Sequence, residues 1–308
     1  MQKNEGAYVI SSYARHQYAN RKKTREKNMI DKNEFIKLIE EVAPPHLAAD
    51  WDNSGLQIEP AARDIERILV ALELTPDVVN EAKLGGYDLI IVHHPLFFGE
   101  GANGRNILQS DVSGRYAYRL LAEPPRPIGV YAAHTSFDAA SGGLSDELRR
   151  LIGLTPWADR LHPDIAGEFS HIAPFVRLGR FSKPTDLAGA YAQVYSALGA
   201  GTDIRVFGDP GQNVLKIMTI CGGGGEAIPL AVRTGCSLLI TGDIRHHEWR
   251  LAEAEGLALI DAGHYYTERP FAPLMVQRLA EALGKESANV VINVSTDIRQ
   301  PYISSART

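Results

Sequence analysis

Five consecutive segments constrain the fold of this chain more than any other feature. "RILVALEL" (67–74) is an apolar run that reads as a strand. "TPDVVNEAKLGG" follows as a helix, with Thr75 as its cap, Pro76 in the first turn and Gly85 past the end. "DLIIVHHP" is a second strand, "GRYAYRLLAEP" a helix, and "PIGVYAAHTSFD" (127–138) a third strand running into a loop. This alternation implies a mostly parallel sheet with helices on both faces. A second series of the same kind starts near Phe175 and passes through "VLKIMTICGGGG", "CSLLITGD" and "LALID" to "NVVINVST". The less regular stretch from Leu144 to Gly167 joins two lobes, so the expected class is α/β.

Composition sets outer bounds. With 308 residues, 44% of them hydrophobic and 22% charged, the chain has enough apolar material for a sizeable core in one or two domains. A net charge of -5 argues against a general nucleic-acid-binding surface. The two cysteines, Cys221 and Cys236, match no zinc spacing and point to a reducing cytoplasm. No apolar run reaches the roughly 20 residues of a membrane helix. Residues 1–28, with "RHQYANRKKTREKN", are basic and weakly patterned and read as a disordered tail. The folded part then opens at Met29, with a helix capped by Asp31 or Asn33 and stopped by Pro44.

The polar residues that look out of place stand at strand ends: His93 and His94, His134 and Asp138, Asp243, Asp261, then His264 and Glu268. Ligands of open α/β sheets bind beyond the carboxyl ends of strands. A gathering of His, Asp and Glu there, without thiolates, suits Zn, Mn, Fe, Co or Ni and does not choose among them. His264 and Glu268 are four apart and share a face if their segment is helical. Neighbouring side chains on a strand point to opposite faces, which makes the His93–His94 pair awkward. Pro95 resolves this by ending the ladder, so both rings can turn into the crevice.

Other stretches keep two readings. "ADWDNSGLQIEP" (49–60) is either a capped loop or a lining of the site mouth. "ICGGGGEA" (220–227) serves tight packing or cradles an anion, and it lacks the Walker lysine. "TGDIRHHEW" is a helix start capped by Asp243, or it supplies an acid or base through His247. Ser145 reads as the cap of a following helix.

"WDNSGLQI", "IIVHHPLFF", "YAAHTSFDAASGGLSDEL", "FGDP", "ICGGGGEAI", "TGDIRHHE" and "LALIDAGHYYTE" together resemble, in order, the motifs of the NGG-one interacting factor three-like family. Its members are also called GTP cyclohydrolase type 2 homologues or dinuclear metal-centre hexameric proteins. The resemblance covers about residues 30–308. It implies two interlinked three-layer α/β lobes, residues 29–142 with about 262–308 in the first and about 143–261 in the second. The metal site lies at strand carboxyl ends between them, in a toroidal homohexamer.

Carried over by motif, the metal ligands are His93, His94, Asp138, His264 and Glu268, with His134 beside them. Five groups are too many for one tetrahedral zinc with an open position. They fit two divalent ions bridged by a carboxylate, Asp138 or Glu268, and a water. The expected activity is metal-dependent hydrolysis by that water, with His134 or His247 moving the proton. The family label implies a small-molecule, nucleotide substrate such as GTP. A phosphoester or nucleotide hydrolase, and a ring-shaped metal-binding scaffold without turnover, are the alternatives.

Overall fold

The computed structural model describes residues 30–98, 108–122, 127–158, 161–199, 204–284, 290–297 and 299–300, so the tail reading for 1–28 lies outside the described residues. Four strands, β1 (Gly55–Ile58), β2 (Arg67–Ala71), β3 (Leu89–Val92) and β4 (Gly129–Ala132), open the first sheet. Five more, β5 (Arg177–Gly179), β6 (Arg205–Phe207), β7 (Ile217–Gly223), β8 (Leu238–Gly242) and β9 (Ala258–Asp261), build the second. The last, β10 (Val291–Val294), returns to the first sheet beside β2. The orders are β10-β2-β3-β4-β1 and β5-β7-β8-β9-β6. The first sheet is parallel except for β1, and the second is parallel except for its two edges, β5 and β6.

Strands β3, β4, β8 and β9 are buried along their whole length. This is why they read as unbroken apolar runs: helices or another sheet cover both faces. Alternate residues serve different cores. Ile68, Val70, Leu89, Ile91 and Tyr131 join Ile217, Leu238, Ile240 and Ile260 of the second sheet in one shared core with Phe35, Ile39, Phe271 and Met275. Leu69, Ile90, Val92 and Val130 face Val78, Val79, Ala117 and Leu120 on the opposite side. Met218, Ile220, Leu239 and Leu259 build the outer core of the second sheet. The shared core brings the carboxyl ends of β3 and β4 towards the segments that follow β7, β8 and β9.

Local chemistry explains most boundaries. Asp31 accepts from the Asn33 N–H at 2.9 Å and starts the helix Lys32–Val42. Thr75 Oγ1 accepts from Val78 N–H at 3.1 Å, and Gly85 ends the helix Pro76–Leu84. Two cap expectations fail. The helix Leu144–Leu151 starts after Gly143, and the Ser145 hydroxyl instead donates to the Phe175 carbonyl at 2.8 Å. The helix His246–Glu255 starts at Arg245, whose N–H donates to Glu248 at 2.7 Å, which leaves Asp243 free for another partner. Among the described residues no helix is long and apolar enough to cross a membrane.

Candidate metal centre

The ladder between β2 and β3 ends at Ala71 and Val92. Beyond it, the N–H groups of His93 and His94 both donate to the single Leu72 carbonyl at 3.0 Å. That shared acceptor breaks strict alternation, and the two rings lie 5.2 Å apart on one side. After β4 the chain turns at His134 into the short helix Thr135–Ala139, and Asp138 N–H donates to the His134 carbonyl at 3.2 Å. This single turn places Asp138 under His134. After β9, Gly263 admits a left-handed turn and the helix His264–Glu268 begins. Its first and last residues face each other, with His264 Nε2 3.0 Å from Glu268 Oε2.

Glu268 is the meeting point. Its Oε2 also lies 2.9 Å from His94 Nε2, and its Oε1 lies 3.5 Å from His93 Nε2. Asp138 Oδ1 stands 3.6 Å from that same His93 nitrogen and accepts from the Cys221 thiol at 3.3 Å. Ligand atoms of His93, His94 and His134 lie within 4.8 Å of one another, and those of His94, His264 and Glu268 do as well. Burial opposes charge here, yet the surroundings override it for most of these groups. Desolvation lowers His94, but Glu268 and Glu73 raise it to about 10. Desolvation also lowers His264, but Glu268 and Asp243 raise it to about 9. Burial would raise Glu268, but His93 and the other imidazoles hold it well below the usual carboxylate range. Asp138 is the exception: burial keeps its carboxyl raised.

His93 tests whether this pocket suits a cation. The ring is fully buried, and its Nδ1 lies 3.0 Å from the Ala133 carbonyl, a group that only accepts. Nδ1 therefore carries a proton, and Nε2 points at two carboxylates, Asp138 and Glu268, which outweigh burial and raise the imidazole above its usual value. That Nε2 has no hydrogen-bond partner. Two buried carboxylates around one imidazole nitrogen need positive charge beside them, which the imidazolium proton supplies in the ion-free protein and a cation can replace. The donor set of imidazoles and carboxylates fits a divalent metal.

The family model described as Duf34/NIF3 (NGG1p interacting factor 3) matches residues 30–301. This chain belongs to the NIF3 family. A protein named GTP cyclohydrolase 1 type 2 homolog from Clostridium perfringens is 30% identical over 270 residues, covering 88% of this chain and 98% of that one. Protein NIF3 homolog from Schizosaccharomyces pombe is 29% identical over 271 residues, covering 83% of this chain and 92% of that one. A Bacillus cereus protein related to NIF3 shares the fold, with a TM-score of 0.76 at 22% identity over 89% of this chain and 99% of the other.

Within this NIF3 chain, the loop 49–60 reaches the site. Asp52 Oδ1 lies 2.8 Å from His134 Nδ1, and Asp52 also accepts from Asn53 N–H, Ser54 Oγ, Thr135 N–H and Thr135 Oγ1. Burial would raise the Asp52 carboxyl, but His134 and the two hydroxyls hold it far below its ordinary value. Trp51 and Phe98, 61% and 53% exposed, stand edge-on to the His134 ring at 5.9 and 5.7 Å. The glycine run packs against the cluster: a Cβ on Gly222 would lie 2.3 Å from Glu268 Oε1, and Gly222 N–H donates to Thr267 Oγ1 at 3.0 Å. Asp261 holds the Ile244 and Gly263 N–H groups and Arg205, so its part is structural. His247 is exposed in the first turn of its helix, and no hydrogen bond or ring contact joins it to the cluster among the described residues. Reading the sequence missed Asp52 and Asp243 as partners of histidines. The density of polar residues in "WDNSG" was the available signal for the first.

Proposed function

We propose that this NIF3-family protein holds two divalent ions on His93, His94, Asp138, His264 and Glu268 and acts as a metal-dependent hydrolase. The unpartnered Nε2 of buried His93, aimed at two carboxylates, carries this reading. Asp138 and Glu268 are the carboxylates that would serve both ions, and Glu268 is suited to this because its two oxygens address different imidazoles: Oε1 faces His93, and Oε2 faces His94 and His264. Ions bound there supply Lewis acidity and an acidified water as nucleophile.

The chain's own groups do the rest. Asp52 takes the Nδ1 proton of His134 as a hydrogen bond. That leaves Nε2 of His134, whose ring stands 5.0 and 5.7 Å from those of His93 and His94, to accept a proton and return it. His247 is the alternative for this step, but it is exposed and makes no contact with the cluster among the described residues, so His134 is preferred and substitution compares the two. The names of curated relatives point to water opening the purine ring of GTP. Phosphoester or nucleotide hydrolysis needs the same machinery. The ring of six implied by the family resemblance belongs to this reading and is tested by light scattering.

Metal analysis of protein purified without added metal should find two ions per chain. A panel of nucleotides, cyclic nucleotides and small esters with Mn, Fe, Zn and Co should reveal turnover that is lost in Asp138→Ala. Stoichiometric binding with no turnover on any combination would replace the hydrolase by a metal-holding scaffold.

A further inference from the structure

Asp243 is the one non-glycine residue with positive φ among the described residues, at 53°. It directly follows β8, where space is short. A Cβ on Gly242 would lie 2.5 Å from the His264 nitrogen and 2.8 Å from the Gly263 carbonyl carbon. The chain must leave the sheet sharply here, and glycine is the residue that turns left-handed without steric penalty. Position 243 nevertheless carries an aspartate, and its side chain is 64% exposed, so core packing does not explain the choice. Its Oδ2 lies 2.7 Å from His264 Nδ1.

The same arrangement recurs around the cluster. His93 Nδ1 is held by the Ala133 carbonyl at 3.0 Å, and His134 Nδ1 by Asp52 at 2.8 Å. In each case an oxygen faces Nδ1 and leaves Nε2 free, and in His93 and His264 that nitrogen faces Glu268. Partners of this kind fix the tautomer and ring orientation of metal-binding histidines. They need not touch the ion.

We infer that Asp243 is a positioning residue for His264: its carboxylate selects the Nδ1–H tautomer and aims Nε2 at the ion site beside Glu268, and the left-handed backbone is retained for that purpose. This rests on the metal reading above. It assigns a role to the second sheet that its own strands do not supply, because Asp243 leaves β8 to orient a ligand that follows β9. Strain kept at a site without a packing reason is the mark of a functional constraint.

The test strips the protein with a chelator, reloads it with zinc alone, and measures zinc content and affinity by chelator competition, together with Tm of the zinc-free form. Asp243→Gly should weaken the affected zinc site by about 10- to 100-fold, while the zinc-free form loses no more Tm than it does in His264→Ala, because the two residues share one contact and glycine relieves φ. Asp243→Asn should fall between glycine and wild type. In the double variant Asp243→Gly with His264→Ala, the loss should equal that of His264→Ala alone, since one residue acts through the other. Unchanged zinc affinity in Asp243→Gly overturns the assignment while leaving the metal centre standing. Additive losses, or a zinc-free Tm of Asp243→Gly below that of His264→Ala, overturn it in favour of a structural role. A wild-type chain that takes up no zinc overturns the metal reading and this inference together.

Discussion

At the carboxyl ends of its central strands the first sheet presents His93, His94 and His134, whereas the second presents Gly222, Gly223 and Gly242. Both sheets have a parallel centre of fully buried strands, and both feed one shared core. They differ in what the edge is for. The first sheet places its imidazoles directly beyond strand ends. The second ends β7 and β8 in glycine, so that the helix His264–Glu268 can approach. A Cβ at Gly222 would collide with Glu268, and one at Gly242 with the backbone at residues 263 and 264. Similar architecture therefore serves donation on one side and clearance on the other.

Ligand deletion should have the largest effect. His93→Ala with Asp138→Ala should lose the ions and all turnover, and full metal content in that purified variant would end the assignment of the first sheet. Next comes filling the clearance. Gly222→Ala introduces a Cβ against Glu268 at a φ of 66°. Overpacking of this kind costs about 1–3 kcal/mol, so denaturant melts should show that loss together with reduced metal content. An unperturbed variant would mean that the glycines are not there for space.

Loosening His134 should be milder. Asp52→Asn should keep the ions and lower turnover by about 10²-fold on any substrate the wild type processes; equal rates would remove His134 as proton carrier. Acidity gives a further comparison. His94 and His264 sit at about 10 and about 9 in the ion-free protein, above the ordinary imidazole value near 6.5. Folded-state values that are raised stabilise fully below about 6.5, and that contribution is lost as pH rises through about 9 to 10. Tm of chelator-treated protein should therefore fall across that window. Zinc uptake at pH 7 should release protons into a weak buffer, and affinity should climb with pH. Zinc uptake without proton release would contradict the raised imidazoles. The smallest effect belongs to His247→Ala, an exposed position on the second sheet's side. It should leave ion content and turnover near wild type, and a large loss would shift proton transfer away from His134.

Much of this was legible in the chain. Buried parallel strands show as apolar runs because no face is left for polar residues, which exposed β2, β3, β4, β8 and β9. Ligands at strand ends stood out because imidazoles and carboxylates interrupt those runs. The residues that orient them did not stand out. Asp52 meets His134 across 82 positions of sequence, a contact set by tertiary packing rather than by local pattern. Asp243 looked like a helix cap because aspartate before a helix usually is one; only its backbone angle and the closeness of Gly242 to His264 redirect it. Ser145 misled in the same way, since its hydroxyl found the Phe175 carbonyl across the fold.

The return of β10 to the first sheet has a mechanical consequence. The chain leaves that sheet after β4, builds the whole second sheet, and comes back to pair Val291–Val294 alongside Arg67–Val70. Two covalent crossings, rather than one hinge, thus span the crevice in which the ligands meet. Swinging the two halves apart would strain both crossings or peel β10 from its neighbour. If ions and substrates bind there as proposed, they should come and go by local movement of side chains and of the Trp51 loop, with the halves acting as a closed frame.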